Sequence, residues 1–304
     1  MIKRKLRRHI RRSIFRFAGL MMPVVGAMVS AYALGVEPRK VDYNERDMVL
    51  PRLKPDFDGY RIIQISDLHF DSWIAAKTML PQIIERINEY NADLIVVTGD
   101  FVSSYPENHI EHLRKNLSML KAKDGVLAVM GNHDHWYNVG ILREMLQDAG
   151  LKELRNEVFS IQRDDDYLHI AGIEDHWKGL SDVDAIVEQI DDEHCAILLA
   201  HEPDYADISS PTGRFDLQLS GHSHGGQINL PFTGAPWLPR YGEKYPAGHY
   251  RIGNMQLYTN RGLGTTMLPI RFNCPPEVSI FTLRSPKVAS AAKFPIQEAI
   301  KIAV

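Results

Sequence analysis

Cysteine is nearly absent from this 304-residue chain: only Cys195 and Cys274 occur, so neither a disulfide framework nor a cysteine-based zinc site can be built from it. One bridge at most is available, which leaves the redox compartment open. A charge excess is missing as well. Lys+Arg number 35 against Asp+Glu 38, a formal charge of −3, and no global basic surplus points to nucleic acid. Internal repeats and low-complexity tracts are also lacking. Apolar residues make up 44% and charged residues 24%, which excludes wholesale disorder. At about 100–200 residues per domain, the length allows one large domain or two small ones.

What charge there is lies unevenly. Lys3, Arg4, Lys5, Arg7, Arg8, Arg11, Arg12 and Arg16 place eight cations ahead of the first acidic residue, Glu37. An uncharged run of 20 residues, Phe17 to Val36, then follows; about 20 apolar residues suffice for a helix to cross a bilayer core of ~30 Å. Basic flanks stay on the cytoplasmic side, so the remainder is expected to face outward from the cytoplasmic membrane. Arg11-Arg12-Ser13-Ile14-Phe15-Arg16 resembles a twin-arginine export signal, and Ala31-Tyr32-Ala33 a small-x-small cleavage site. Residues 1–36 therefore read as a basic N-terminus plus a signal or transmembrane segment, with export after cleavage near Ala33 as the alternative.

Residues 37–58 are polar and punctuated by proline, and read as a linker. From Arg61 the pattern alternates. Arg61–Ser66, Leu94–Thr98, Val126–Met130 and Ala196–Ala200 are short strand-like apolar runs. Met79–Tyr90, Val139–Ala149 and Asp182–Ile190 have helical spacing or helix boundaries between them. Such alternation predicts an α/β protein. In the last third, Leu217–Ser220, Gln256–Thr259 and Val278–Leu283 read as strands joined by Gly/Pro-rich loops, which predicts a second sheet with antiparallel pairing. The catalytic unit is expected over residues 59–285, followed by a tail, 286–304, with a weak helix around Ile296–Ile302.

Ligand-type side chains follow the strand-like runs. Asp67-Leu68-His69, Gly99-Asp100, Gly131-Asn132-His133-Asp134, His201 and Gly221-His222-Ser223-His224 each come directly after one. Strand carboxyl ends are where α/β proteins assemble sites. Carboxylate, imidazole and amide oxygen together suit Zn, Mn or Fe ions. His222 and His224, one residue apart, would point to opposite faces of an extended chain, so two neighbouring ions taking one each fit better than a single ion. Each motif alone is weak; all of them in order, each after an apolar run, make a site.

With these motifs the sequence resembles the calcineurin-like metallophosphoesterases, and within them the YkuE/YaeI-type phosphodiesterases of bacterial cell envelopes. The Asp-x-His, Gly-Asp, Gly-Asn-His-Asp, His, Gly-His-x-His order carries the first likeness. GHSHGGQINLPFTGAPWLP, YPAGHY, YTNRGLG and RFNCPPEVSIFTL carry the second. The resemblance implies a four-layer αββα sandwich with mixed sheets, preceded by a hydrophobic signal or anchor helix. It implies two divalent ions, Mn, Zn or Fe. One would be held by Asp67, His69, Asp100 and His224, the other by Asp100, Asn132, His201 and His222, with Asp100 bridging. His133 matches the histidine that faces substrate.

The expected chemistry follows from charge. Two dications bring +4 and Asp67 with Asp100 return −2, leaving a trap for an anionic phosphodiester. A metal-bridging hydroxide would attack phosphorus while His133 protonates the leaving oxygen as general acid. Asp134 would either orient that ring or serve as a turn carboxylate. Gly225 and Gln227, flanking Gly226, are expected to let backbone approach the centre. Arg261 is read as a phosphate contact or, equally, a structural ion pair. Trp237, Tyr241, Tyr245 and Tyr250 would form an apolar shelf or ordinary packing. His109, His112, His135, His169, His176, His194 and His249 fall outside the motif and read as solvated or structurally bonded, and Asp164-Asp165-Asp166 as a solvated turn. The function expected is phosphodiester or pyrophosphate hydrolysis on an envelope or lipid-linked substrate. A phosphomonoesterase or nuclease on the same centre is the alternative, and a noncatalytic scaffold is disfavoured because no motif position is substituted. No nucleic-acid partner is implied.

Overall fold

A computed structural model of the protein describes residues 21–72, 76–103 and 108–288. The basic cluster before Phe17, the twin-arginine-like stretch and the tail helix around Ile296–Ile302 lie outside these residues. In chain order, the apolar helix α1 (Met21–Arg39) leads into strand β1 (Asp42–Val49), β2 (Arg61–Ile65), α2 (Ala76–Glu89), β3 (Leu94–Thr98), α3 (Ile110–Leu117), β4 (Val126–Val129), α4 (Val139–Asp148) and the two-residue β5 (Lys152–Glu153). Strands β6 (Glu157–Arg163) and β7 (Asp166–Gly172) come next, then α5 (Val183–Val187), β8 (Cys195–Leu199), α6 (Ala206–Ser209), β9 (Leu217–Ser220), β10 (Gly248–Ile252), β11 (Met255–Thr259) and β12 (Glu277–Arg284).

The alternation of side chains along each strand builds the layers. In β3, Ile95 and Val97 face a core shared with Leu80, Ile84 and Ile87 of α2, Leu113 of α3 and Leu142 of α4, whereas Leu94 and Val96 face the second sheet. In β8, Cys195, Ile197 and Leu199 face back towards the first sheet, and Ala196 and Leu198 pack against Ile186 of α5 and Ala206 of α6. Helices, sheet, sheet and helices thus stack in four layers, as expected. Both sheets are six-stranded and mixed, in the orders β1-β12-β2-β3-β4-β5 and β10-β11-β9-β8-β7-β6.

Strands β2, β3 and β4 run parallel, as do β7, β8 and β9, so their carboxyl ends gather along one edge of each sheet. The buried Gln64 holds the two edges together: its Nε2 donates to Thr98 Oγ1 of the first sheet and to the Ser220 carbonyl of the second, both at 2.9 Å.

Two expectations are corrected. Residues 37–58 are not a spacer. Asp42–Val49 pairs in parallel with β12 over its whole length, and Met48, Leu50, Leu53 and Phe57 are buried between the sheets. The segment is polar because it is an edge strand, and its partner lies more than 200 residues away, which no local pattern reveals. Nor does the last third make one antiparallel sheet. β12 crosses into the first sheet, antiparallel to β2, while β9 pairs in parallel with β11 in the second. Of the secondary structure, β1, α3, β5, β6, β7, α6 and β10 were not foreseen.

Helix α1 has the length and composition to cross a membrane, and most of it stands clear of the body. Its carboxyl end is fastened: the Ala33 carbonyl accepts from Arg271 N at 3.0 Å, and the buried Glu37 carboxylate accepts from Cys274 N at 2.5 Å.

If residues 37–58 are part of the sandwich, Met48→Ala should cost about 2–5 kcal/mol, the range for truncating a buried aliphatic side chain. The measurement is the shift in urea midpoint; a change within a few tenths of a kcal/mol, as for a spacer residue, contradicts the assignment.

Candidate metal centre

The strand ends deliver their side chains through tight turns. Asp67, His69, Asp100, His222 and His224 all have positive φ, between 41° and 69°, a conformation that costs non-glycine residues about 1–3 kcal/mol each. Each such residue re-aims its side chain into the space between the sheets instead of continuing the strand. His222 and His224 therefore do diverge, but through two left-handed residues around Ser223 and not through an extended chain. At Gly131 a Cβ would fall on the Asp100 carboxylate, so the turn after β4 can close only with glycine there.

Two groups of buried donors result: Asp67, His69 and His224, and Asp100, His201 and His222. His69, Asp100 and the half-buried His133 make a third grouping between them. Hydrogen bonds on the outer sides of the rings decide what the inner sides carry. His201 Nδ1 donates to the Thr98 carbonyl at 2.7 Å, and His222 Nε2 donates to the Arg240 carbonyl at 2.8 Å. A carbonyl only accepts, so these protons are fixed. The inner atoms, His201 Nε2 and His222 Nδ1, then face each other at 3.2 Å, with Asp100 Oδ2 3.2 Å from the former. On the other side, His69 Nδ1 donates to Ser103 Oγ at 2.9 Å, and Ser103 donates on to Ser72. His69 Nε2 is thereby left bare, 3.0 Å from His224 Nε2, which is itself 3.4 Å from Asp67 Oδ1. Asn132 Oδ1 is buried with no hydrogen-bond partner.

Acceptors that converge without donors repel one another unless a cation or a proton lies between them. Mixed imidazole and oxygen donors suit a divalent transition ion, so the residues fit the ions that the motif implies. Their protonation agrees. Burial pushes His69 down to about 4 and His222 down to about 3, and lowers His224 as well, keeping these imidazoles neutral as ligands must be. Burial also raises the Asp67 carboxyl to about 6. His201 goes the other way: burial opposes its charge, but the Asp100 carboxylate overrides burial and raises it. Without a metal, a proton on His201 neutralises Asp100.

Asp134 is not the partner of the His133 ring. Its carboxylate is fully buried and accepts from the backbone N–H groups of Asp100 and Gly131 at 2.9 Å through one oxygen, and of Phe101 at 2.9 Å and Val102 at 3.3 Å through the other. It is the turn carboxylate of the two readings, and it locks the β3 and β4 loops together. The His133 ring is held instead by Nδ1 donating to the Ser103 carbonyl at 3.1 Å and by a tilted contact with Trp136, 4.1 Å between ring centres.

The expected substrate contacts also fall elsewhere. Arg261 Nε is bound to Glu277 at 2.7 Å and its NH2 to Asp42 at 2.6 Å, the structural ion pair of the two readings. Gly225 packs where a Cβ would meet Cys274 Sγ at 2.8 Å. Gln227 ties down the neighbouring loop, donating to the Thr266 carbonyl and accepting from Thr266 N. Tyr245 and Tyr250 pack on each other and on the outer face of the second sheet.

The rings that do flank the centre are Trp136, beside His133, and Trp177, 5.7 Å from the His222 ring and 6.3 Å from Trp136. Tyr241 borders Trp177 at 6.0 Å. Sequence reasoning passed over both tryptophans. Trp177 follows β7, a strand whose polar start hid it, and the rule that sites form after strand ends would have found it. The Glu202 carboxylate, buried behind His201, accepts from Trp177 N at 3.0 Å and so fixes that loop.

Residues 60–226 match the family described as Calcineurin-like phosphoesterase. Among curated proteins, the chain is 37% identical to an uncharacterized metallophosphoesterase, YkuE, of Bacillus subtilis, across 84% of this chain and 89% of that one. It is 30% identical to the phosphodiesterase YaeI of Escherichia coli, across 74% of this chain and 82% of that one. A Helicobacter pylori protein, also an uncharacterized metallophosphoesterase, is 26% identical over 87% of this chain and 69% of its own.

Because ligands must shed protons to bind metal, Mn²⁺ affinity should fall as pH drops through about 6, where Asp67 becomes protonated. At pH 7 binding should release the proton held by His201. Calorimetry in buffers of different ionisation enthalpy reads that proton; a binding enthalpy independent of buffer contradicts the assignment.

Proposed function

Since the chain belongs to the calcineurin-like phosphoesterases, metal-dependent hydrolases of phosphoesters, we propose that it hydrolyses a phosphodiester or pyrophosphate at a binuclear centre. One ion is assigned to Asp67, His69, Asp100 and His224, and the other to Asp100, Asn132, His201 and His222, the metals being Mn, Zn or Fe. One observation carries the reading: imidazole nitrogens and carboxylate oxygens converge from both sides on Asp100, and the amide oxygen of Asn132, in the turn after β4, is buried and unpartnered.

Bound divalent ions supply acidified water and charge neutralisation at the phosphoryl oxygens. The protein's own groups do the rest. Thr98, Arg240 and Ser103 hold the ligand tautomers. Asp134 keeps Asp100 in place through the backbone. His133 is the general acid: with Nδ1–H committed to Ser103, Nε2 is the atom that hands a proton to the leaving oxygen. Its main-chain N–H donates to Asp100 Oδ1 at 3.0 Å, so ring and bridging carboxylate move as one unit.

The net charge of +2 left by two dications and two carboxylates favours an anionic diester. The diester preference has further support from the E. coli relative, which is named a phosphodiesterase. Helix α1 supports a location at the cytoplasmic membrane, with the catalytic unit facing outward and a lipid-linked or other envelope ester as substrate.

With Mn²⁺, hydrolysis of bis(4-nitrophenyl) phosphate should exceed that of 4-nitrophenyl phosphate, and chelation should abolish both. A preference for the monoester would favour the phosphomonoesterase reading. His133→Ala should lower kcat by about 10²–10⁴-fold, the range for general acid catalysis, while bound metal measured by elemental analysis stays the same. Loss of metal in that variant would make His133 a ligand.

A further inference from the structure

The apolar side chains most exposed outside α1 are concentrated in two loops. Phe232 is 104% exposed and Met267 83%, with Leu230, Trp237 and Leu268 also well exposed. Isolated apolar residues on a surface are ordinary, but several in loops that are tied together are not. Here the loops are laced to each other and to the base of α1. Gln227 Nε2 donates to the Thr266 carbonyl at 3.1 Å, Asn229 N donates to the Phe272 carbonyl at 2.8 Å, and Phe272 N donates back to Gln227 at 2.9 Å. Arg271 N, next to Phe272, is bound to Ala33 of α1. A cleft of about 460 Å³ at this junction is lined by Tyr32 and Lys40 from the helix end and by Pro231 and Phe272 from the loops.

We propose that these two loops form a second membrane contact, a rim that dips into the same bilayer α1 enters, and that the substrate is therefore a phosphoester carried on a membrane lipid. The continuity with α1 selects the bilayer over other occupants. A helix fastened to the body at Ala33 and Glu37 sets the body against the membrane surface at that point, and the loops bound to residues 271–274 meet that surface first. Their composition suits the boundary: Trp237 is an interfacial anchor, and Arg39 and Lys40, exposed at the helix end, face anionic headgroups.

The rim also continues from the metal centre. Residue 226 is two positions beyond His224. At the root of the other loop, Leu263 N and Gly264 N donate to the carbonyls of Ser66 and Asp67 at 3.0 and 2.8 Å. Site and rim share one end of the molecule, so a headgroup phosphate reaches the ligands while its acyl chains stay in the bilayer. This substrate assignment rests on the hydrolase reading; the membrane contact does not.

The test uses the full chain reconstituted in phosphatidylethanolamine/phosphatidylglycerol vesicles. The two native cysteines are buried, so an environment-sensitive fluorophore can be placed at Phe232→Cys, Met267→Cys and, as a control, Met119→Cys, which precedes β4 and lies at the far end of the strands. Labels at positions 232 and 267 should shift to the blue and be quenched by brominated lipids, and the label at 119 should not. Labels at 232 and 267 that behave like the one at 119 overturn the rim. So does a blue shift without lipid quenching that grows with protein density, which would mean a second copy covers the loops. In the second arm, Phe232→Ser combined with Met267→Ser should slow hydrolysis of vesicle-borne phosphatidylglycerol by about tenfold, the scale of one lost apolar anchor. Hydrolysis of soluble bis(4-nitrophenyl) phosphate should not change. Equal rates on both substrates, or equal losses, overturn the lipid assignment. If the unsubstituted chain hydrolyses neither ester, the hydrolase reading fails, while the fluorescence still decides the rim.

Discussion

Asp100 is a buried carboxylate approached by imidazoles on both sides, 3.2 Å from His201 and 3.5 Å from His69. A charge in that position has to be neutralised locally, because water does not reach it. His201 does so by keeping a proton against the opposition of burial, and bound divalent ions would do so in its place. Much of the surrounding architecture holds this group in place. The Asp134 carboxylate fixes its backbone, His133 N–H holds one of its oxygens, and the glycine at 131 leaves it room.

Strain is concentrated at the same place. Five of the motif side chains sit on left-handed backbone, and a turn that unfavourable persists only where its surroundings over-determine it. Here they do. The layers on either side are densely apolar, Gln64 pins the two sheet edges to each other, and buried Arg271 binds the carbonyls of Arg261, Gly262, Gly264 and Cys274. The rigid loops around Arg271 also carry the exposed rim and receive the end of α1. The donor-bearing turns, the exposed loops and the base of α1 are thus mechanically one unit.

The motif chemistry was legible because it is local. Each candidate donor follows its strand within a few residues, so Asp67, Asp100, Asn132, His201 and His222 could be singled out from apolar runs and the side chains after them. Among the strands that failed to declare themselves, β1 is an edge strand whose partner β12 lies more than 200 residues away, β5 has only two residues, and β6, β7 and β10 belong to local hairpins whose polar, part-exposed residues mask the strand pattern. The roles of Asp134, Arg261 and Gln227 were equally out of reach. A carboxylate beside a histidine in sequence looks like its partner, yet the backbone turn points Asp134 at four amides, and Arg261 meets Asp42 only because β1 crosses to β12.

The amino-acid order therefore determined the α/β class and the set of candidate donors, since those depend on residue type and short-range period. Folding decided which donor faces which, because tautomers and distances are set by carbonyls and carboxylates from elsewhere in the chain. Only the packed sandwich brings Thr98 to His201, Arg240 to His222 and the base of α1 to the loop at Arg271. Contacts between residues tens to hundreds of positions apart leave no periodic trace for a reader of the sequence to follow.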